Sequence, residues 1–219
     1  MSEQLIWLSN TSTEPENVFH NVSAYAGNSV SGVMDTEQVV TWDFHFVHTS
    51  TNAPYAEGIV VDSARYFWQE ESTYKIVMTI TDPPEAITER FTIFSWRGEQ
   101  FDAFNFFDGL FFLEHESGGD LYFLIPMDES TPPAPAFINI VPGSTNEFQM
   151  KLHLSSDNTL GWLEILLNGG QVIFEDGSSR IYLKTYDGLK TNPVWSYGSV
   201  TGEDTNLYMK DLKVYLVTE

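Results

Sequence analysis

No window of eleven or more residues in this chain sets its apolar side chains at a 3.6-residue period, and that single absence constrains the fold most. Apolar residues alternate by two instead, in short runs stopped by Gly, Pro, Asn, Asp and Ser. The clearest run is 38–48, QVVTWDFHFVH, with Val40, Trp42, Phe44 and Phe46 on one side and Asp43 and His45 on the other. Further strands are predicted at 4–8, 73–81, 89–97, 110–115, 121–125, 136–141, 147–154, 161–167, 171–175, 180–186 and 207–217, with a short one near 59–61. Residues 10–37 read as loops around a short irregular strand. Asn168-Gly169-Gly170 is the strongest turn signal, since a tight hairpin needs positive φ there. About a dozen short strands with this punctuation predict an all-β fold, an antiparallel β-sandwich of the jelly-roll kind. The 219 residues suit one β domain, 1–219, with the Pro-rich piece 130–136 as an ordered crossover loop.

With no cysteine, neither a disulfide nor thiolate chemistry is available. Acids number 31 against 10 bases, a formal charge of −21, and no Lys or Arg precedes Arg65. Such a chain repels nucleic acid and anionic lipid. No window approaches a membrane span, and the N-terminus lacks the positive region of a signal peptide. An extracellular and a virion-surface location both stay open. Aromatic content is 15%, which serves a β core and equally serves sugar-contacting platforms.

Because bases are scarce, the run 180–186 is the leading functional feature. As a strand it sets Arg180, Tyr182, Lys184 and Tyr186 on one face and Ile181, Leu183 and Thr185 on the other. Trp162, Glu164, Arg97 and His153 are expected to join that face from neighbouring strands, giving rings for sugar C–H faces and fixed donors and acceptors. The competing reading is a solvated face with snorkelling bases. Acid-and-glycine turns such as Asp157, Asp176-Gly177 and Asp187-Gly188 offer oxygens to a calcium ion, or are simply turns. No residue set for a metal stands out.

The piece GWLEILLNGGQVIF resembles a hairpin of concanavalin A-like jelly rolls. Among them the chain looks most like the polysaccharide-lyase branch, the heparin-, alginate- and glucuronan-lyase relatives. There a Tyr-x-Lys-x-Gly-x-Tyr strand follows the hairpin. The matching run here is Tyr182-Leu183-Lys184-Thr185-Tyr186, shorter and without the glycine. The Gln-x-His of those lyases has its counterpart in Leu113-Glu114-His115, with leucine in place of glutamine. The resemblance covers roughly residues 90–219. It implies β-elimination on a uronate with His115, Tyr182, Lys184 and Tyr186 as the catalytic group.

Three functions follow as alternatives. A polyuronate lyase must draw an anionic chain into a basic cleft, and ten bases make that cleft very local. A carbohydrate-binding, lectin-like domain for an oligo- or polysaccharide carries no such demand and is the first expectation. The lyase is the second. A structural or adhesion protein of a virion or cell surface is the third.

Overall fold

A computed structural model describes residues 2–19, 21–23, 27–47, 55–57, 68–81, 91–97, 109–115, 120–124, 136–139, 143–188, 192–197 and 204–218. In chain order the strands are β1 (Ser2–Leu8), β2 (Asn21–Ser23), β3 (Ser29–Met34), β4 (Val40–Phe46), β5 (Tyr55–Glu57), β6 (Thr73–Thr81), β7 (Phe91–Arg97) and β8 (Gly109–His115). They continue as β9 (Asp120–Leu124), β10 (Ala136–Asn139), β11 (Thr145–His153), β12 (Trp162–Leu167), β13 (Gly170–Gln171), β14 (Ile181–Tyr182), β15 (Asn192–Tyr197) and β16 (Thr205–Thr218). Among the described residues the only helical pieces are two 3-10 turns, Ser9–Thr11 and Pro15–Asn17. The chain is all-β, and among the described residues every strand pairing is antiparallel.

Two sheets result. The first runs β13-β12-β11-β6-β16-β4-β3, with β14 also on β12 and β1 also on β16. The second runs β10-β9-β8-β7-β15-β5-β2. β16 is the long central strand of the first sheet. Thr205–Lys210 pairs with β4, and Lys213–Thr218 pairs with β1. Where it changes partner the register to β6 slips between Lys210 and Lys213, and Asp211 takes φ 55. That bulge lets Met209 and Leu212, three apart, both enter the core.

Alternation decides which faces meet. β11 buries Phe148, Met150 and Leu152, β6 buries Tyr74, Ile76, Met78 and Ile80, and β4 buries Val40, Trp42, Phe44 and Phe46. The second sheet contributes Ile93, Phe94, Trp96, Leu113 and Trp195 to the same cluster. Trp7 of β1 stacks on Trp195 of β15 at 6.4 Å, so the two sheets close on one another through these rings. Each such buried side chain is worth about 1.5–3 kcal/mol, which is how the fold stands without a disulfide.

Four features differ from the sequence expectation. β15 lies between β7 and β5 in the second sheet, although no strand is expected at 192–197. Pro193 lies opposite Trp96 of β7, while on the other side β5 reaches only Val194 and Trp195. The strand expected at 171–175 ends at Gln171; Val172 N still donates to the Ile165 carbonyl at 2.9 Å, and Val172 and Phe174 are buried. β9 and β10, on either side of the Pro-rich piece, pair directly, so that piece joins neighbours in one sheet instead of crossing over. The expected strand 180–186 pairs only at Ile181–Tyr182. The expectation at 59–61 lies outside the described residues.

Candidate functional site

The face of the first sheet turned away from the core gathers most of the bases that are described. Strand register sets its rows. Tyr182, Trp162, His153, Thr73 and Val217 form one row across β14, β12, β11, β6 and β16. Glu164, Lys151, Lys75 and Tyr215 form the next. Lys213 and then Lys210 continue along β16, opposite Val77 and Thr79, to Tyr208 beside Asp43.

Trp162 is the centre of the β12 end. The Arg180 guanidinium sits over its ring at 4.0 Å, the Lys151 ammonium lies 5.7 Å from the ring centre, and the His153 ring stacks at 6.0 Å. Arg180 Nε donates to Glu164 Oε1 at 2.8 Å. Burial works against the Arg180 charge, but hydrogen bonds to Glu164 and Tyr182 outweigh it and raise its pKa above the ordinary guanidinium value. Tyr182 is 56% exposed, so its ring is open to a ligand. His153 Nδ1 shares a 3.0 Å hydrogen bond with Thr73 Oγ1, and Nε2 faces Glu71 at 3.6 Å.

Ion pairs continue along the face. Lys75 pairs with Glu3 and lies 4.5 Å over Tyr215. Lys213 pairs with Asp211 at 3.2 Å, and Lys184 pairs with Asp187. At the β4 end, Asn206 Nδ2 donates to both Asp43 oxygens at 2.8 Å, and Asn206 Oδ1 meets His45 Nδ1 at 2.9 Å. Burial pushes the Asp43 carboxyl up, against the lowering effects of Asn206 and His45.

What holds the β12 end together is the turn 155–161 against the segment after β14. Gly161 lies so close that an added Cβ would meet the Leu183 carbonyl at 2.4 Å and Thr185 Oγ1 at 2.7 Å. Thr185 is fully buried; its Oγ1 accepts from Ser155 N at 2.9 Å and donates to the His153 carbonyl at 2.6 Å. Its own carbonyl accepts from Trp96 Nε1 at 2.7 Å, tying this edge to the second sheet.

Of the residues expected at the site, Trp162, Glu164, His153, Arg180 and Tyr182 lie together. Lys184 is exposed next to them. Tyr186 does not follow: the N–H groups of Thr185 and Tyr186 both reach the Ser155 carbonyl, at 3.0 and 3.1 Å, which ends the alternation. Tyr186 packs against the core instead, within electrostatic reach of Tyr74. His115 and Arg97 stand on β8 and β7, in the second sheet, and so are not on the sheet that carries Tyr182. Their side chains lie outside the described structure. The grouping of His115 with Tyr182, Lys184 and Tyr186 is therefore not assembled on one sheet. Lys75, Lys151, Lys213, Asn206 and Tyr208 were not among the expected site residues, and His45 was placed only on the outward side of its strand. Lys75 and Lys151 sit at outward positions of clear period-two strands and were legible; their adjacency was not.

No protein-family model and no curated protein matches the sequence. Solved structures do match. An endo-β-1,4-glucuronan lyase from the fungus Trichoderma reesei aligns with TM-score 0.61 and 12% identity over 90% of this chain and 90% of that one. An endo-1,3-β-glucanase from Streptomyces sioyaensis aligns with TM-score 0.61 and 9% identity over 99% and 97%. An alginate lyase from Chlorella virus aligns with TM-score 0.57 and 10% identity over 98% and 100%. The chain shares their jelly-roll fold. At these identities the likeness establishes the fold alone.

The turn carboxylates of this jelly roll are occupied by turn groups. Asp157 Oδ1 accepts from Thr159 N and Oγ1 at 2.8 and 2.7 Å, and Asp176 Oδ1 accepts from Ser178 N and Oγ at 2.9 and 2.7 Å. Among the described residues no group of three His, Asp or Glu is placed to hold a metal ion, and no helix is long and apolar enough to cross a membrane. Side-chain and then backbone hydrogen bonds hold both carboxyls below the ordinary value of 3.8. Their contribution is present above that value and is lost as pH falls through their folded pKa values. The Asp157→Asn, Asp176→Asn double variant is expected to differ from wild type in urea midpoint at pH 7, and to differ less at pH 3. A gap that stays constant or widens at pH 3 contradicts this sign.

Proposed function

We propose that the outer face of the first sheet binds a neutral oligo- or polysaccharide, without catalysis. The observation that carries this is the open Tyr182 ring beside Trp162, whose face is covered by an Arg180 that Glu164 holds in place. Sugars offer C–H faces to rings, and hydroxyls that both donate and accept. Paired bases and acids on one face answer both needs. Lys75, Lys151, Lys210, Lys213 and Arg180 share this face with Glu3, Glu147, Glu164, Asp43 and Asp211, so it carries no excess of positive charge. A polyanion would meet that balanced face on a chain of charge −21. The glucanase and the two lyases that share the fold are proteins named for glycan substrates, which supports a carbohydrate ligand.

The test is titration calorimetry with neutral β-1,3- and β-1,4-gluco-oligosaccharides. Tyr182→Ala is expected to weaken binding about tenfold, the loss of about 1.4 kcal/mol that one ring contact supplies. The Lys184→Ala, Tyr186→Ala double variant is expected to weaken it less, because Tyr186 packs on the core side. Unchanged affinity in Tyr182→Ala rejects this face.

A β-eliminating lyase is the second reading, favoured by the two lyases among the matched structures. Incubation with alginate, glucuronan and heparin, followed by absorbance of the unsaturated product, decides it. No signal across pH and salt removes the lyase and leaves the binding reading in place.

A further inference from the structure

The β4 end of the same face holds a second polar centre, far from Trp162. An ionised carboxylate can only accept hydrogen bonds, so the Asn206 amide must turn its NH2 group to Asp43, as the two 2.8 Å contacts show. Its oxygen is then committed to His45, 2.9 Å away. An oxygen there requires Nδ1 of His45 to be the donor. In the neutral ring Nε2 is left as an acceptor of fixed orientation. Tyr208, one row along β16 from Asn206 and 37% exposed, sets a ring beside it. A ring next to oriented donors and acceptors is the same chemistry as at Tyr182.

The two centres lie at opposite corners of the face. Four strand-to-strand steps separate β14 from β16, about 19 Å, and the rows through Thr73 and Thr81 are one β6 length apart, about 27 Å. On the diagonal between them stand Lys151, Lys75 and Tyr215, Lys213 and Lys210, in register order. We infer that His45, Asn206 and Tyr208 form a second carbohydrate contact, and that the ligand is an extended neutral polysaccharide read along its length across the lysine diagonal. A trisaccharide is too short to touch both corners. This inference rests on the reading of the face as a glycan site.

The experiment compares a β-1,3-glucotriose with a long-chain β-1,3-glucan fraction by calorimetry, on wild type, Tyr182→Ala, Tyr208→Ala and His45→Ala. Wild type is expected to bind the long chain at least tenfold more tightly per chain than the trisaccharide. Tyr208→Ala and His45→Ala are expected to remove most of that gain and to leave trisaccharide affinity unchanged. Tyr182→Ala is expected to weaken both probes. Nitrogen NMR of the His45 ring, expected to show Nδ1–H at neutral pH, checks the geometry without any ligand. An Nε2–H tautomer, or a long-chain gain that survives both variants, overturns the second contact alone. A trisaccharide that binds equally to Tyr182→Ala, or no binding of either probe, overturns the glycan reading and this inference with it.

Discussion

Gly161→Ala is expected to destabilise the protein by about 3 kcal/mol, at the upper end of what an added methyl costs in a packed site. The added Cβ would stand 2.4 Å from the Leu183 carbonyl and 3.2 Å from the Ser155 carbonyl. Both are backbone atoms, so no side-chain rotation relieves the contact. Relief requires the 155–161 turn to part from the segment after β14, which breaks the 3.0 Å bond from Leu183 N to the Gly161 carbonyl. Trp162 follows Gly161 directly and pairs with Tyr182 across that same junction. Glycan affinity is therefore expected to fall together with stability. Urea unfolding at constant m measures the first effect and calorimetry the second. A change in unfolding free energy below about 0.5 kcal/mol would mean that the turn gives way without cost.

Thr185→Val is expected to cost a similar amount, about 3 kcal/mol, through a different cause. The substitution keeps shape and removes the hydroxyl. Ser155 N–H and the His153 carbonyl then lose their partner inside the protein, each at about 1–3 kcal/mol. Thr185→Ser keeps the hydroxyl and loses only a methyl, for about 1 kcal/mol. A serine variant as unstable as the valine variant would show that packing, not the hydrogen bonds, holds this edge. Because Gly161 and Thr185 touch, the double variant is expected to lose less than the two single losses together.

The site was legible in part, and the division has physical causes. Trp162 and Glu164 share a face by period two along one strand, and His153 faces outward by the same alternation on its own strand; the pairing of β11 with β12 brings it beside Trp162. The same rule carried Arg180, Tyr182 and Lys184 outward but failed at Tyr186, where two successive N–H groups share one carbonyl. His115 and Tyr182 looked like partners because each follows a plausible motif. Sheet membership separates them, and motif order carries no information about sheet membership. β15 was not among the expected strands; its place follows from pairing with β7 and β5, which lie far from it in the chain.

By itself the sequence determined what depends on adjacent residues: the all-β class, the inward rows of β4, β6 and β11, and the Asn168-Gly169 turn, where both residues take positive φ. The tertiary structure alone decided which strands are neighbours, and with that what the face contains. Lys210 and Lys213 show the reason. Three residues apart, simple alternation sets them on opposite faces. The bulge at Asp211, where β16 leaves β4 for β1, turns both outward. Alternation is a property of one strand, whereas the position of a bulge is set by partners far away in the chain.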